Sequence, residues 1–181
     1  MCINIYTKLS FTASCYDLTS KAKNAVLCIM QKLRMLNNNS FELFLKLFDS
    51  QVRSLALYGT ELCGLESTAV HCENVHLFAL KSLLGVEMRT PNDLVYGETN
   101  RSPLFVNSAV SCIQYWLKLT RMEASKLPNK TYMMLHVLDE RGERNWASNV
   151  RCKLYQYGFG FVWLNQGAEQ ITSFYMLFVK D

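Results

Sequence analysis

Residues 20–55 read SKAKNAVLCIMQKLRMLNNNSFELFLKLFDSQVRSL, and two amphipathic helices are written into them. In the first, Ala22, Val26, Ile29, Leu33 and Leu36 recur at intervals of three and four residues, which places them on one helical face. Lys21 and Lys32 border one edge of the polar half, and Lys23 and Arg34 border the other. The run Asn37-Asn38-Asn39 tolerates turn conformations and ends this helix. Asn39, with Glu42 three residues on, is a candidate capping box for the second helix. That helix is predicted to bury Phe41, Phe44, Leu45, Phe48, Val52 and Leu55, with Glu42, Lys46, Asp49 and Arg53 laddered along its other side. A short polar turn between two such helices predicts an antiparallel hairpin.

The rest of the chain continues in the same manner. Gly59 and Gly64 punctuate the stretch after the hairpin, and a helix from about Ser67 to Leu84 is stopped by Gly85. The run Thr90 to Leu104 (TPNDLVYGETNRSPL) reads as two helix starts in quick succession. Thr90 and Ser102 are hydroxyl caps, each followed by a proline at the first helical position, and Gly97 stops the short first element. Helices are predicted from Pro103 to about Met122, from Pro128 to near Gly142, and from an Asn145 cap to Gly158. The last segment, Glu169 to Asp181, is helical in pattern and has no cap, which suggests a truncated product. Only the opening alternates, and a short strand is expected over residues 3–11. The predicted fold is all-α: an irregular multi-helix bundle with a hairpin unit at 1–64 and a helical unit at 65–181.

Composition agrees with a packed helical chain. Half of the 181 residues are hydrophobic, so a core can form, and 3 prolines with 8 glycines favour long helices over a sandwich or barrel. The net charge of +4 is uneven, with seven basic against three acidic side chains in residues 1–60. A mildly basic first third permits a phosphate-rich partner without demanding one. The seven cysteines, Cys2, Cys15, Cys28, Cys63, Cys72, Cys112 and Cys152, are odd in number and scattered among apolar neighbours. That pattern fits reduced thiols and an intracellular, cytoplasmic or nuclear setting. No apolar run approaches the roughly 18 residues that span a bilayer, so no membrane association is expected.

Chemistry-bearing clusters are sparse. His71-Cys72-x-x-x-His76, with Cys63 nearby, invites a zinc reading, because Cys72 and His76 share a helix face. The Cys63 to Cys72 separation is irregular, and a buried thiol with two partly exposed imidazoles is the plainer reading. Glu61, Asp93, Glu98 and Asp139-Glu140 lie near turns without a cooperating partner, and Asp93 and Glu98 fit first-turn or capping positions. No metal, cofactor or catalytic residue is expected. Tyr115, Trp116, Trp146 and Trp163 read as packing residues.

The order and spacing of several blocks resemble the reverse transcriptase of non-LTR (LINE-type) retrotransposons, downstream of its polymerase core. The blocks are Leu47-Phe48-Asp49 leading into Leu57 to Gly64, Phe78 to Gly85, Thr90 to Leu104, Tyr115 to Leu119 and Leu154 to Gly160. Together they span roughly residues 20–180. The resemblance implies a thumb hairpin that lies against a template–primer duplex, followed by a post-thumb helical region. This chain departs from the family at Cys63, where an aromatic side chain is usual. It also contains no Asp-Asp pair, which the family's palm uses to hold two metal ions, and no counterpart of the endonuclease domain. The resemblance therefore implies a non-catalytic fragment.

Lys21, Lys23, Lys32, Arg34 and Arg53 are the candidate nucleic-acid-binding residues, set against the plainer reading of a solvated face. Arg141, Arg144, Arg151 and Lys153 form a second candidate patch. The resemblance assigns the first set to an RNA or RNA–DNA hybrid, held through its phosphates without base readout. The competing reading is a helical interaction module or inert relic whose exposed apolar surface self-associates or binds a protein partner.

Overall fold

The computed structural model describes residues 12–37, 40–65 and 69–166, and every regular element among them is a helix. The strand expected over residues 3–11 and the helical segment from Glu169 lie outside the described residues. Helix α1 (Thr12–Met35) and helix α2 (Phe41–Leu47) form the hairpin. Ala22, Val26, Ile29 and Leu33 are buried as the periodicity requires. The helix starts earlier than Ser20 because its buried stripe continues backwards through Cys15 and Ser14, small residues that carry little apolar weight. Leu36 does not join the stripe: it is 74% exposed in the turn, where Asn37 takes a left-handed φ of 50°.

The second helix differs from expectation in two respects. Its cap is Ser40, whose Oγ accepts the Leu43 N–H at 3.3 Å, and Glu42 reaches Lys46 at 2.7 Å. Phe41 is exposed, while Phe44, Phe48 and Val52 are buried. After Leu47 the helix widens into a π-helical turn, Phe48–Arg53, before closing as α3 (Ser54–Ala56). The physical reason lies in the spacing. Phe44, Phe48, Val52 and Ala56 recur every four residues, slower than the α-helical period of about 3.6, and a wider turn keeps all four against α1 and α5.

Gly59, at φ 77°, turns the chain into the short α4 (Thr60–Cys63). Helix α5 (Ala69–Leu84) follows and ends at Gly85, φ 67°, with the Val86 N–H returning to the Lys81 carbonyl. Helix α6 (Asn92–Thr99) runs two residues past Gly97 and stops at Asn100, φ 49°. Pro91 and Pro103 stand at the N-cap positions of α6 and α7 (Leu104–Thr120) with extended ψ values of 135° and 138°. The prolines thus replace Thr90 and Ser102 as caps, because proline's missing N–H is harmless there as well. Helix α8 (Leu127–Glu140) leads to Gly142 at φ 87°. Asn145 makes a capping box with Ser148 at the start of α9 (Trp146–Gln156), and α10 (Gly160–Leu164) follows.

Two apolar clusters meet along α7. One joins α1, the second hairpin arm, α5 and Leu104. The other gathers α7 to α10 around Trp116, Leu154 and Trp163, where the Trp116 Nε1–H donates to the Tyr132 hydroxyl at 3.0 Å. Helix α4 lies against α7 so closely that Gly64 has no room for a side chain. A Cβ there would stand 2.7 Å from the Ser108 carbonyl oxygen and would also press on that of Thr60. Gly97, inside α6, faces nothing within 4 Å. Gly64→Ala is therefore expected to destabilise the chain by about 1–3 kcal/mol. Gly97→Ala is expected to stabilise it by about 0.5–1 kcal/mol. Thermal unfolding of the pair checks this, and a neutral Gly64→Ala would contradict the close α4–α7 contact.

Candidate nucleic-acid interface

Lys21, Lys23, Lys32 and Arg34 are all exposed on α1. At about 100° per residue, Lys21 and Lys32 fall within about 20° of one another, and so do Lys23 and Arg34. Each pair spans about 16 Å along the axis. The two edges flank an outward ridge of Asn24, Leu27, Cys28, Gln31 and Met35, all exposed. From residue 18 to the end of α1 there is no carboxylate. Asp17 stands at the start of this stretch and meets Lys21 Nζ at 2.6 Å, an exposed pair that competes weakly with a polyanion.

Arg53 stands apart from this group. Its guanidinium lies 3.9 Å from Asp49, and it is partly covered. Asp49 is chiefly occupied by Arg101, whose two terminal nitrogens each donate to one carboxylate oxygen at 2.8 Å. The second candidate patch is also divided. Arg151 makes a bidentate pair with the buried Asp139 at 2.8 and 2.9 Å, and these hydrogen bonds hold the Asp139 carboxyl below its ordinary pKa and the guanidinium above its own. Lys153 donates to Gln156 at 3.0 Å and lies 5.9 Å from the Tyr157 ring centre. Arg141 and Arg144 are exposed.

The structure adds a set of buried polar contacts beneath the hairpin. Glu73, on α5, accepts from the Tyr96 hydroxyl of α6 at 2.5 Å and from the Phe105 N–H at the start of α7 at 2.9 Å. His76 Nδ1 lies 3.3 Å from the same carboxylate, and its ring stacks on Phe48 at 5.4 Å. Burial works to raise the Glu73 pKa, but the donors from His76, Tyr96 and Phe105 outweigh it and hold the carboxyl below its ordinary value of 4.5. Burial, followed by the bond to Glu73, pushes the Tyr96 hydroxyl up. Lys81, also buried, donates to the Met88 carbonyl at 2.9 Å and to Asn92 Oδ1 at 2.8 Å. Every buried side-chain nitrogen and oxygen among the described residues has a partner.

No group of three or more His, Cys, Asp or Glu side chains among the described residues is placed to hold a metal ion. Cys72 donates to the Ala56 carbonyl at 2.8 Å, and burial, then the neighbouring Cys15, pushes its thiol up to about 11. His76 is fully buried rather than partly exposed, and the His71 ring packs tilted against Tyr16, with centroids 4.3 Å apart. Asp93 lies in the first turn of α6, whereas Glu98 falls in its last turn. No helix among the described residues is long and apolar enough to cross a membrane.

Glu73, Lys81 and Arg101 escaped the sequence reading. A signal for Glu73 existed, since it precedes His76 by three residues and shares a helix face with it and with the buried Leu80. Nothing local marked Asp49 and Arg101 as a pair, because 52 residues separate them.

In comparisons with known proteins, no family model matches this chain, no curated protein matches it, and no solved structure matches it.

The Glu73 carboxylate fixes a pH dependence. Its folded pKa is depressed, so its stabilising contribution is complete above about pH 4.5 and is lost as the pH falls through the folded value. Glu73→Gln is expected to cost about 1–3 kcal/mol at neutral pH. It should also flatten the acid limb of a Tm-against-pH curve below about pH 4.5, leaving the contribution of the Asp139 carboxylate. An unchanged acid limb would contradict the three-donor arrangement.

Proposed function

We propose that this chain is a non-catalytic part of a LINE-type reverse transcriptase, its thumb and post-thumb helices. Its task is to hold RNA or an RNA–DNA hybrid by the phosphate backbone in an intracellular setting. The observation that carries this reading is the outward half of α1, where two cationic edges flank an uncharged ridge with no carboxylate from residue 18 onward. Phosphate contacts of this kind position a duplex and need no base readout.

A second observation supports it. The sequence blocks that carry the resemblance are bonded to one another across the fold. Asp49 of the Leu47-Phe48-Asp49 block holds Arg101 of the Thr90 to Leu104 block, and Lys81 of the Phe78 to Gly85 block holds Asn92. The reading assigns no bond-making step to this chain.

One observation favours the alternative, a protein-interaction role. The hairpin tip exposes Met35 at 76% and Leu36 at 74%, beside the exposed Phe41. Self-association through that tip would show in light scattering as a concentration-dependent mass.

The discriminating experiment is binding of the full chain to an RNA–DNA hybrid as a function of salt. Affinity is expected to fall steeply with salt, and the slope to shrink by on the order of 0.7–0.9 per phosphate contact removed. Changing Lys21, Lys23, Lys32 and Arg34 to Ala together should remove most of that slope, whereas Arg53→Ala should change it little. Binding too weak to detect at low salt, or a slope unmoved by the fourfold variant, would overturn the proposal.

A further inference from the structure

Cys63, the position at which this chain departs from the family it resembles, closes α4 and faces α1. Its Sγ lies 3.9 Å from Sγ of Cys15, and both residues are buried. The two sulfurs line a cavity of about 10 Å³ together with Leu18, Ala56, Thr60 and Cys72. The separation is a non-bonded contact, short enough that a modest shift into the adjoining void brings the sulfurs to bonding distance. Cys72 also lines the cavity and donates to the Ala56 carbonyl at 2.8 Å, a shorter bond than the 3.3 Å one from Cys63 to the Gly59 carbonyl.

We propose that Cys15 and Cys63 are a latent disulfide pair that staples α1 to α4 when the chain meets an oxidising low-molecular-weight disulfide. The step is thiol–disulfide exchange. One thiol loses its proton and attacks a sulfur of oxidised glutathione, giving a mixed disulfide and releasing one glutathione thiolate. The second cysteine, deprotonated in turn, attacks the protein sulfur of that mixed disulfide and releases the second glutathione. The two protein thiols are oxidised by two electrons, glutathione disulfide is reduced to two thiols, and the two protons pass to the released thiolates. Because both sulfurs are buried, exchange waits on local opening of α4, and it is slower than at the exposed Cys28 and Cys152. The bond closes a loop across a separation of 48 residues and fixes the base of the hairpin to the helix that rests on α7. This inference does not rest on the nucleic-acid reading.

The test uses the full chain carrying Cys2→Ser, Cys28→Ser and Cys152→Ser, so that Cys2 and the two exposed thiols among the described residues do not confuse the outcome. It is incubated with oxidised glutathione at a urea concentration below the unfolding transition, then alkylated, digested and analysed by mass spectrometry. The expected product is a peptide pair joined through Cys15 and Cys63, with a Tm several degrees higher that dithiothreitol reverses. The same chain with Cys63→Ala should show neither. Recovery of both cysteines alkylated or singly glutathionylated, or a bridge to Cys72 or Cys112 instead, would overturn the proposal.

Discussion

A carboxylate buried among helices must collect donors or lose its charge, and Glu73 collects three. One comes from its own helix, one from α6 and one from the first turn of α7. Leaving any of them out would strand a charge in a poorly solvated place, at a cost larger than the gain from a single surface pair. The three bonds therefore set where α6 and α7 begin relative to α5. The Arg101–Asp49 fork then ties the link between α6 and α7 back to the π-helical turn of the hairpin. Position of the hairpin, and with it the direction its basic face points, follows from those polar constraints acting over an apolar floor of Phe44, Phe48, Val52 and Val75.

The second half of the molecule is organised differently. Trp116 and Trp163 stack at 5.4 Å, His136 stacks on Trp163 at the same distance, and Gln166 bridges the Tyr132 hydroxyl and the His136 ring. Large aromatic surfaces with one polar edge each are well suited to such a core, since burial and hydrogen bonding are satisfied together. Asp139 and Arg151 close its rim. Helix α7 belongs to both halves, with Leu104 in one cluster and Cys112 onward in the other.

Much of this was legible from local pattern. Apolar periodicity located the hairpin and the long helices, and Gly85, Gly142 and Gly158 stand just past helix ends with positive φ, where the capping rules put them. Legibility failed where the deciding partner was remote. Gly97 read as a stop because local propensity favours it, yet α6 continues to Asn100 with its face held by Tyr96 on Glu73. The π-helical turn carries no local marker beyond a run of four-residue spacings. Of the candidate binding residues, the four on α1 occupy the exposed edges that periodicity assigned them. Arg53 lies near Asp49, one turn away on its own helical run, whereas Arg151 is paired with a carboxylate that only the tertiary fold brings near.

The proposed grip depends on one face of one helix, and that makes it open to direct mapping. Lysine-reactivity footprinting of the full chain, with and without a short RNA–DNA hybrid at low salt, reads each ammonium separately. The account predicts protection of Lys21, Lys23 and Lys32 on α1, with Lys118 and Lys130 on the other half of the molecule labelled as in the free chain. Equal labelling of the α1 lysines with and without hybrid, or protection confined to Lys118 and Lys130, would contradict it.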